Sequence, residues 1–467
     1  MKTTKIIASL LALVIGTGLV SSCGGNKQSA VNEKGQIVVR VGNWPDPEAN
    51  AKLYASRMER KAEFEAANPD IVIEPDYWSY DVKTFAAKAE GGTLPNIYRT
   101  FATEVKKIID LGYSADVSEA MKKYGYYDTL SDEIKSEVAR DGKVYIVPTS
   151  SYSLGIVLNM NLFRAAGLVN EDGSPKVPET FDDVREMSKI IKEKTGKAGF
   201  LFPTTGNGGG WNFTNLAWSF GGEFMQETDE GWKADFTDGV TDALQFLHDM
   251  KWVDGTMPVE TLINNTDAMK LVATEQAAMA FAHPGQLDVL TSQFAMDPAA
   301  IGFAKMPEGP AGRIALMGGD YIAFSAESTP EQIDAAFKWL MHMGSLPQNE
   351  LTDEIKETIR KGYQEKIDAN RAVGVYDIRL WSSASEVQAY KDQMIEELRN
   401  LDAKNVAAYN DKTGLTYRSE EKMCAQDLYA LLDGCLQEIL TNESADCQAV
   451  LDKAESDFQN NNLNNAN

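Results

Sequence analysis

From Ile37 to Leu111 the chain alternates short β-branched runs with stretches of helical character, and no other feature narrows its fold so far. Ile37-Val38-Val39-Arg40-Val41 reads as a strand. The turn Gly42-Asn43-Trp44-Pro45 follows, and Asp46-Pro47-Glu48 then supplies an N-cap, a proline at the first helical position and an acid in the first turn. This helix is predicted to run to Ala67, where Asn68-Pro69 stops it before the strand Ile71-Val72-Ile73. Asp81 to Glu90 is predicted as helix, Gly91 to Pro95 as its C-cap and loop, Asn96-Ile97-Tyr98 as strand, and Thr103 to Leu111 as helix. Such alternation predicts an α/β fold, a mostly parallel sheet covered by helices, with ligand-binding loops at the strand ends.

One such sheet cannot account for 467 residues, so two lobes are expected. Pro148 to Leu168 is the stretch that would join them. A small polar segment, Thr149 to Ser153, leads into an apolar run, Leu154 to Leu158, and a helix begins near Asn159 or Asn161, either of which can cap it. A strand polar at one end and apolar in its body suits a chain that crosses a cleft and enters a new core, although any buried strand fits the same pattern. Further helices are predicted over Pro178 to Lys194 with Thr180 as cap, Asp238 to Met250, Asp267 to Ala280, Pro330 to Met343, Ser385 to Leu401 and Ser419 to Leu440. Thr204 to Asn215 is rich in glycine, but the dinucleotide fingerprint needs glycine where Trp211 stands, and no Lys-Ser or Lys-Thr follows as in a P-loop. It reads as a flexible loop presenting Trp211. The Asn-rich end, 459–467, reads as a disordered tail.

The formal charge of −24 repels nucleic acid and gives solubility rather than a specific partner. At the front, Lys2 and Lys5 precede an apolar stretch, Ile6 to Val20, too short for a comfortable membrane span, and Val20-Ser21-Ser22-Cys23 forms a small-residue cleavage site. Residues 1–22 are therefore expected to be a signal peptide and 23–36 a flexible tether. Cys424, Cys435 and Cys447 are too few to pair completely, so one disulfide with a spare thiol and three buried thiols both remain open. They lack the Cys-x-x-Cys spacing and nearby histidine that zinc requires, and no cofactor is called for.

Several blocks of sequence, in order, resemble the bacterial extracellular solute-binding proteins of carbohydrate ABC transporters. They are Phe64 to Glu74, Gly91 to Asn96, Asp141 to Leu168, Thr274 to Phe281, Ile301 to Pro307, and Met317-Gly318-Gly319-Asp320-Tyr321-Ile322-Ala323-Phe324. The resemblance covers residues 37 to 345 and implies a two-lobed, periplasmic-binding-protein-like fold of type II. Lobe 1 would comprise 37–150 and 308–345, lobe 2 151–307 and 346–458, with the ligand cleft between them and hinges at the crossings. Val20 to Cys23 resembles the bacterial lipobox, which implies lipid on Cys23, membrane anchoring, and a mature charge of −26 once Lys2 and Lys5 are removed from the −24 total. An ordinary secreted protein cleaved nearby is the alternative. The resemblance also implies a monomer that delivers its ligand to membrane permease subunits, with Gly319 and Asp320 beside ligand hydroxyls. Trp381 sits where some relatives supply a stacking ring, a place that core packing fits as well. In the loop Ala282-His283-Pro284-Gly285-Gln286 relatives often carry an aromatic, and here His283 reads as an ordinary loop or core histidine.

A sugar offers hydroxyls at its rim and apolar C–H faces, so its site wants rings against the faces and carboxylates, amides or backbone groups at the rim. Trp44 with Asp46, Trp78 with Tyr80, Tyr152, and Trp211 with Asn212 stand at predicted strand ends and loops and are the candidates. Each ring would equally serve a core. Catalysis finds little support: His248, His283 and His342 are far apart, no Gly-x-Ser-x-Gly or His-Glu-x-x-His occurs, and Ser419-x-x-Lys422 reads as a helix N-cap. A glycosidase needs only two carboxylates, so that reading stays open, as do a sensory role and a ligand other than sugar.

Overall fold

The computed structural model describes residues 30–466 except 83, 348, 349, 377 and 382–384. The signal peptide, Cys23 and the start of the tether lie outside the described residues. Within them the chain builds two large sheets, each with its own apolar packing, and two small two-stranded hairpins.

The first sheet contains β1 (Ile37–Val41), β2 (Ile71–Pro75), β3 (Ile97–Phe101) and β4 (Ile146–Ser153). The second contains β5 (Gly155–Asn159), β6 (Ala198–Phe200), β7 (Ala277–Ala282) and β8 (Ile301–Lys305). Two later strands, β9 (Ile314–Phe324) and β10 (Thr416–Ser419), return to the first sheet. Its order is β10-β9-β3-β1-β2, with β4 also pairing β9. The second runs β8-β5-β7-β6.

Leu154 alone separates β4 from β5. The polar end of the crossing stretch lies in the first sheet, antiparallel to β9, while the apolar residues of β5 sit wholly buried between β7 and β8. Asn159 is the cap of the helix that follows, its Oδ1 accepting from the amides of Asn161 and Leu162 at 3.0 and 3.1 Å. Gly155 has no room for a side chain, since a Cβ would fall 2.5 Å from the Ala304 carbonyl oxygen and 2.8 Å from the Tyr409 ring. The hinge is therefore a short, tightly packed strand.

The C-terminal part departs from the expected division. Residues 346–458 do not all belong with the second sheet: Thr416–Ser419 pairs in parallel with Ile314–Met317, and Leu346, Leu380 and Trp381 pack on the first core. Leu401, Val406 and Tyr409 pack on the second core, as does helix Ala425–Thr441 after the strand. The chain thus makes a further crossing between Ser419 and Ala425, where a helix from Ser419 was expected. Four residues of strand are too short to show a period in sequence. Residues 459–466 are helical rather than disordered, because Leu463 is buried and Gln459 Oε1 accepts from the Ala234 amide at 2.7 Å.

Two further elements differ from expectation. Asp267 to Ala280 is not one helix: Asn265–Ala273 is helical and Ala277–Ala282 is β7. The glycine-rich stretch is no loop but the start of helix Gly208–Ser219. A Cβ on Gly210 would lie 2.2 Å from the Tyr429 carbonyl oxygen, so glycine lets this helix end press against Ala425–Thr441. The buried Asp433 carboxylate accepts from the Asn207 and Gly210 amides, both at 2.7 Å, placing negative charge at the helix N-terminus. Gly210→Ala should cost about 1–3 kcal/mol by forcing the two helices apart. Urea unfolding measures this, and an unchanged midpoint would show that the helices separate freely.

Candidate functional site

The site lies on the seam between the sheets. On β9, Gly318, Gly319 and Asp320 stand opposite Tyr152, Ser151 and Ser150 of β4. The Asp320 carboxylate pairs with the Arg99 guanidinium and accepts from Ser150 Oγ at 3.0 Å. The Tyr152 ring lies over Gly318, where a Cβ would come within 2.7 Å of it.

Three rings meet at this point. Tyr152 stacks on the His283 imidazole with centroids 4.6 Å apart, and Trp211 meets the same imidazole edge-on at 6.1 Å. Trp211 comes from the first turn of Gly208–Ser219, and His283 from the end of β7. His283 caps helix Pro284–Ser292, its Nδ1 accepting from the Gly285 amide at 3.2 Å. Burial pushes its pKa down to about 4, with Asp320 pulling the other way, so the ring is neutral near pH 7 and Nε2 carries the proton.

Glu420, from the crossing between Ser419 and Ala425, ties the lobes together. Its Oε1 accepts from the Trp211 indole at 2.6 Å and its Oε2 from the Thr103 amide of the first lobe at 3.1 Å. Beside it, Glu137 accepts from Ser419 Oγ and from the Tyr321 hydroxyl, the latter at 3.0 Å. Behind Thr103, Glu104 accepts from the Tyr80 hydroxyl at 2.5 Å and from Thr103 Oγ1 at 3.3 Å. The adjoining cleft has a volume of about 840 Å³ and is lined by Thr103, Glu137, Trp232, Arg418, Ser419 and Glu420, among others.

Burial, then the charges of Glu104 and Glu137, push the Glu420 pKa up to about 7, against the two donated hydrogen bonds. A carboxyl raised above its unfolded value of 4.5 stabilises the folded form fully below that pH, and the contribution is lost as pH rises through about 7. The melting temperature should therefore fall between pH 5 and pH 8, less steeply in Glu420→Gln than in the parent. Parallel slopes would assign the dependence to other groups.

Of the predicted site residues, Tyr152, Trp211, Gly319 and Asp320 come together here, and Tyr80 joins them through Glu104. The others do not. Trp44 is 3% exposed and stacks on Trp339 in the first core. Trp78 is half-buried among Tyr80, Tyr98 and Lys88. Asp46 is exposed and caps a turn through the Glu48 and Ala49 amides, ahead of a helix that begins only at Ala51. Asn212 is buried and donates to the Gly208 carbonyl oxygen at 2.7 Å. Trp381 packs against the Tyr126 ring at 5.5 Å. Trp44 and Trp78 stand in stretches that read as loops by sequence, but these fold back on the core of the first lobe.

Sequence reasoning missed Glu420, Glu137 and the part played by His283. An acidic residue among 69 carries no signal of its own, and His283 acquires its neighbours only when β4, β7 and the glycine-rich helix converge. The three remaining cysteines are free thiols, and burial pushes Cys424 and Cys447 up to about 11 and Cys435 to about 12, which leaves them unreactive.

Comparison with known proteins fits this geometry. The profile described as bacterial extracellular solute-binding protein matches residues 49–349. No curated protein sequence matches significantly. Among solved structures, the cyclic alpha-maltosyl-1,6-maltose binding protein of Arthrobacter globiformis is similar, with 20% identity and a TM-score of 0.63 over 90% of this chain and 98% of that one. The GacH receptor of Streptomyces glaucescens, solved unliganded and with acarbose, is 16% identical with a TM-score of 0.64, over 90% and 97%. UgpB of Mycobacterium tuberculosis, solved with glycerophosphocholine, is 15% identical with a TM-score of 0.64, over 91% and 98%. At such identities the likeness is one of fold.

Proposed function

The chain belongs to the bacterial extracellular solute-binding proteins, and from that premise we propose that it captures a carbohydrate between its two lobes and hands it unaltered to the permease of an ABC importer. Lipid on Cys23 holds it at the membrane. The observation that carries this reading is the corner of Tyr152, His283 and Trp211 beside the carboxylates of Asp320 and Glu420. Flat rings cover sugar C–H faces, and carboxylates accept from hydroxyls that have lost water. Each stacked ring adds about 0.5–1.5 kcal/mol beyond area burial, while micromolar binding needs about 8 kcal/mol, so groups of both lobes must act together. That requirement favours a site on the seam, where closure assembles the contacts and opening at the crossings releases the ligand. The similar proteins, one named for maltosyl-maltose and one solved with acarbose, support the same class of ligand.

A thermal-shift and calorimetric screen against mono- and oligosaccharides tests the proposal, because a bound ligand raises the melting midpoint by mass action. The bound sugar should be recovered intact. Hydrolysed products would replace binding with catalysis, and silence across the screen would reject a carbohydrate ligand. Cys23→Ala should move the protein from the membrane to the soluble fraction, and retention would reject the anchor.

A further inference from the structure

Resting on the carbohydrate reading, we infer that the cleft selects a sugar bearing a positively charged amine, held by Glu420 and Glu137 with Glu104 behind them. These three carboxylates form a connected chain. Thr103 touches both Glu104 and Glu420, through its hydroxyl and its amide, and Ser419, the neighbour of Glu420, donates to Glu137. All six oxygens receive neutral donors, namely Tyr80, Thr103, Trp211, Ser419 and Tyr321. Among the described residues none of the three is ion-paired. The nearby cations are engaged elsewhere: Arg99 with Asp320, Arg418 with Glu223 and Glu421, and Lys106 and Arg140 with Asp110. Lys422 stands exposed at the rim.

Carboxylates that share a partly dehydrated seam repel one another unless a proton or a cation intervenes. Their lone pairs are not exhausted, since each oxygen accepts one bond where it can accept two. A second observation lies beside the same carboxylate. The Tyr429 hydroxyl is buried, its residue 1% exposed, and it makes no hydrogen bond of ordinary length, although the Glu421 amide points its way. It lies within electrostatic reach of Glu420, Glu421 and Tyr152. The oxygens do not converge as a metal site does: among the described residues no group of three or more acidic, His or Cys side chains could hold an ion. A spread of acceptors flanked by the Tyr152 and Trp211 rings suits an organic ammonium on a rigid skeleton, which gains from carboxylates and ring faces at once.

In the empty protein Glu420 shares a proton near neutrality, with Glu104, Glu137, Asp320, Tyr152 and Tyr429 as the titratable groups around it. Arrival of the ammonium lets Glu420 release that proton to solvent. The test uses matched sets of glucosamine, galactosamine and their di- and trisaccharides against the N-acetylated and the hydroxyl counterparts of each. Calorimetry is run at pH 7 in buffers of different ionisation enthalpy. The amine-bearing member that binds should do so at least tenfold more tightly than its neutral counterparts, with proton release. In Glu420→Gln the preference should fall at least fivefold and the proton release disappear, and Glu137→Gln should reduce the preference should that variant fail to fold. Neutral counterparts that bind as tightly or more so would overturn the inference while leaving the carbohydrate reading in place. Binding of neither set would overturn both.

Discussion

Replacing Trp44 with alanine should lower the stability of the first lobe by about 3 kcal/mol and leave ligand affinity unchanged. Removing a buried tryptophan costs about 3–5 kcal/mol in lost transfer energy and cavity. Trp44 is 3% exposed, stacks on Trp339 with centroids 6.0 Å apart, and carries the Arg57 guanidinium 5.7 Å from its ring. Its Nε1 is buried without a hydrogen-bond partner, so deletion also relieves an unsatisfied donor, and this places the expected cost at the lower end of the range. Urea unfolding gives the stability and calorimetry on folded protein gives the affinity. The opposite pattern, a stable variant that no longer binds, would restore Trp44 to the site.

Trp211→Ala should do the reverse. Losing a stacked face and the Glu420 contact is expected to weaken binding of the captured sugar by about 2–3 kcal/mol, roughly 30- to 150-fold in Kd. Stability should change by less than about 1 kcal/mol, because the ring is only half-buried and its indole donates outward to Glu420. Trp211→Phe divides the effect, keeping a ring face while removing the N–H that Glu420 accepts at 2.6 Å. Should phenylalanine bind as poorly as alanine, the link to Glu420 matters more than the face. Large destabilisation with intact binding would assign Trp211 to the core.

The contrast between these two tryptophans shows what was legible in advance. Both stand in stretches that read as loops beside polar residues, and composition offers nothing to separate them. Trp44 turns inward because the chain after β1 folds back beneath the helix that carries Trp339. Trp211 faces the seam because Gly208, Gly209 and Gly210 let its helix end press against Asn265, Asp433 and Tyr429 in turn. The glycines were visible, but their purpose depends on a helix more than two hundred residues downstream. Glu420 is the extreme case: a strand of four residues and a crossing of five bring it to the cleft, too short a run for any periodic pattern.

By itself, the order of residues determined the alternation of strand and helix, the polar-to-apolar crossing at Leu154, the helix caps at Asn159 and Thr180 and the membership of a two-lobed family. Those properties follow from neighbours along the chain, which act through backbone preference and burial pattern. Only the tertiary structure decided which rings reach the cleft, that His283 stays neutral between two of them, and that three linked carboxylates have no ion pair among the described residues. Contacts and dehydration are properties of separate segments brought together, and a single residue's identity does not encode them.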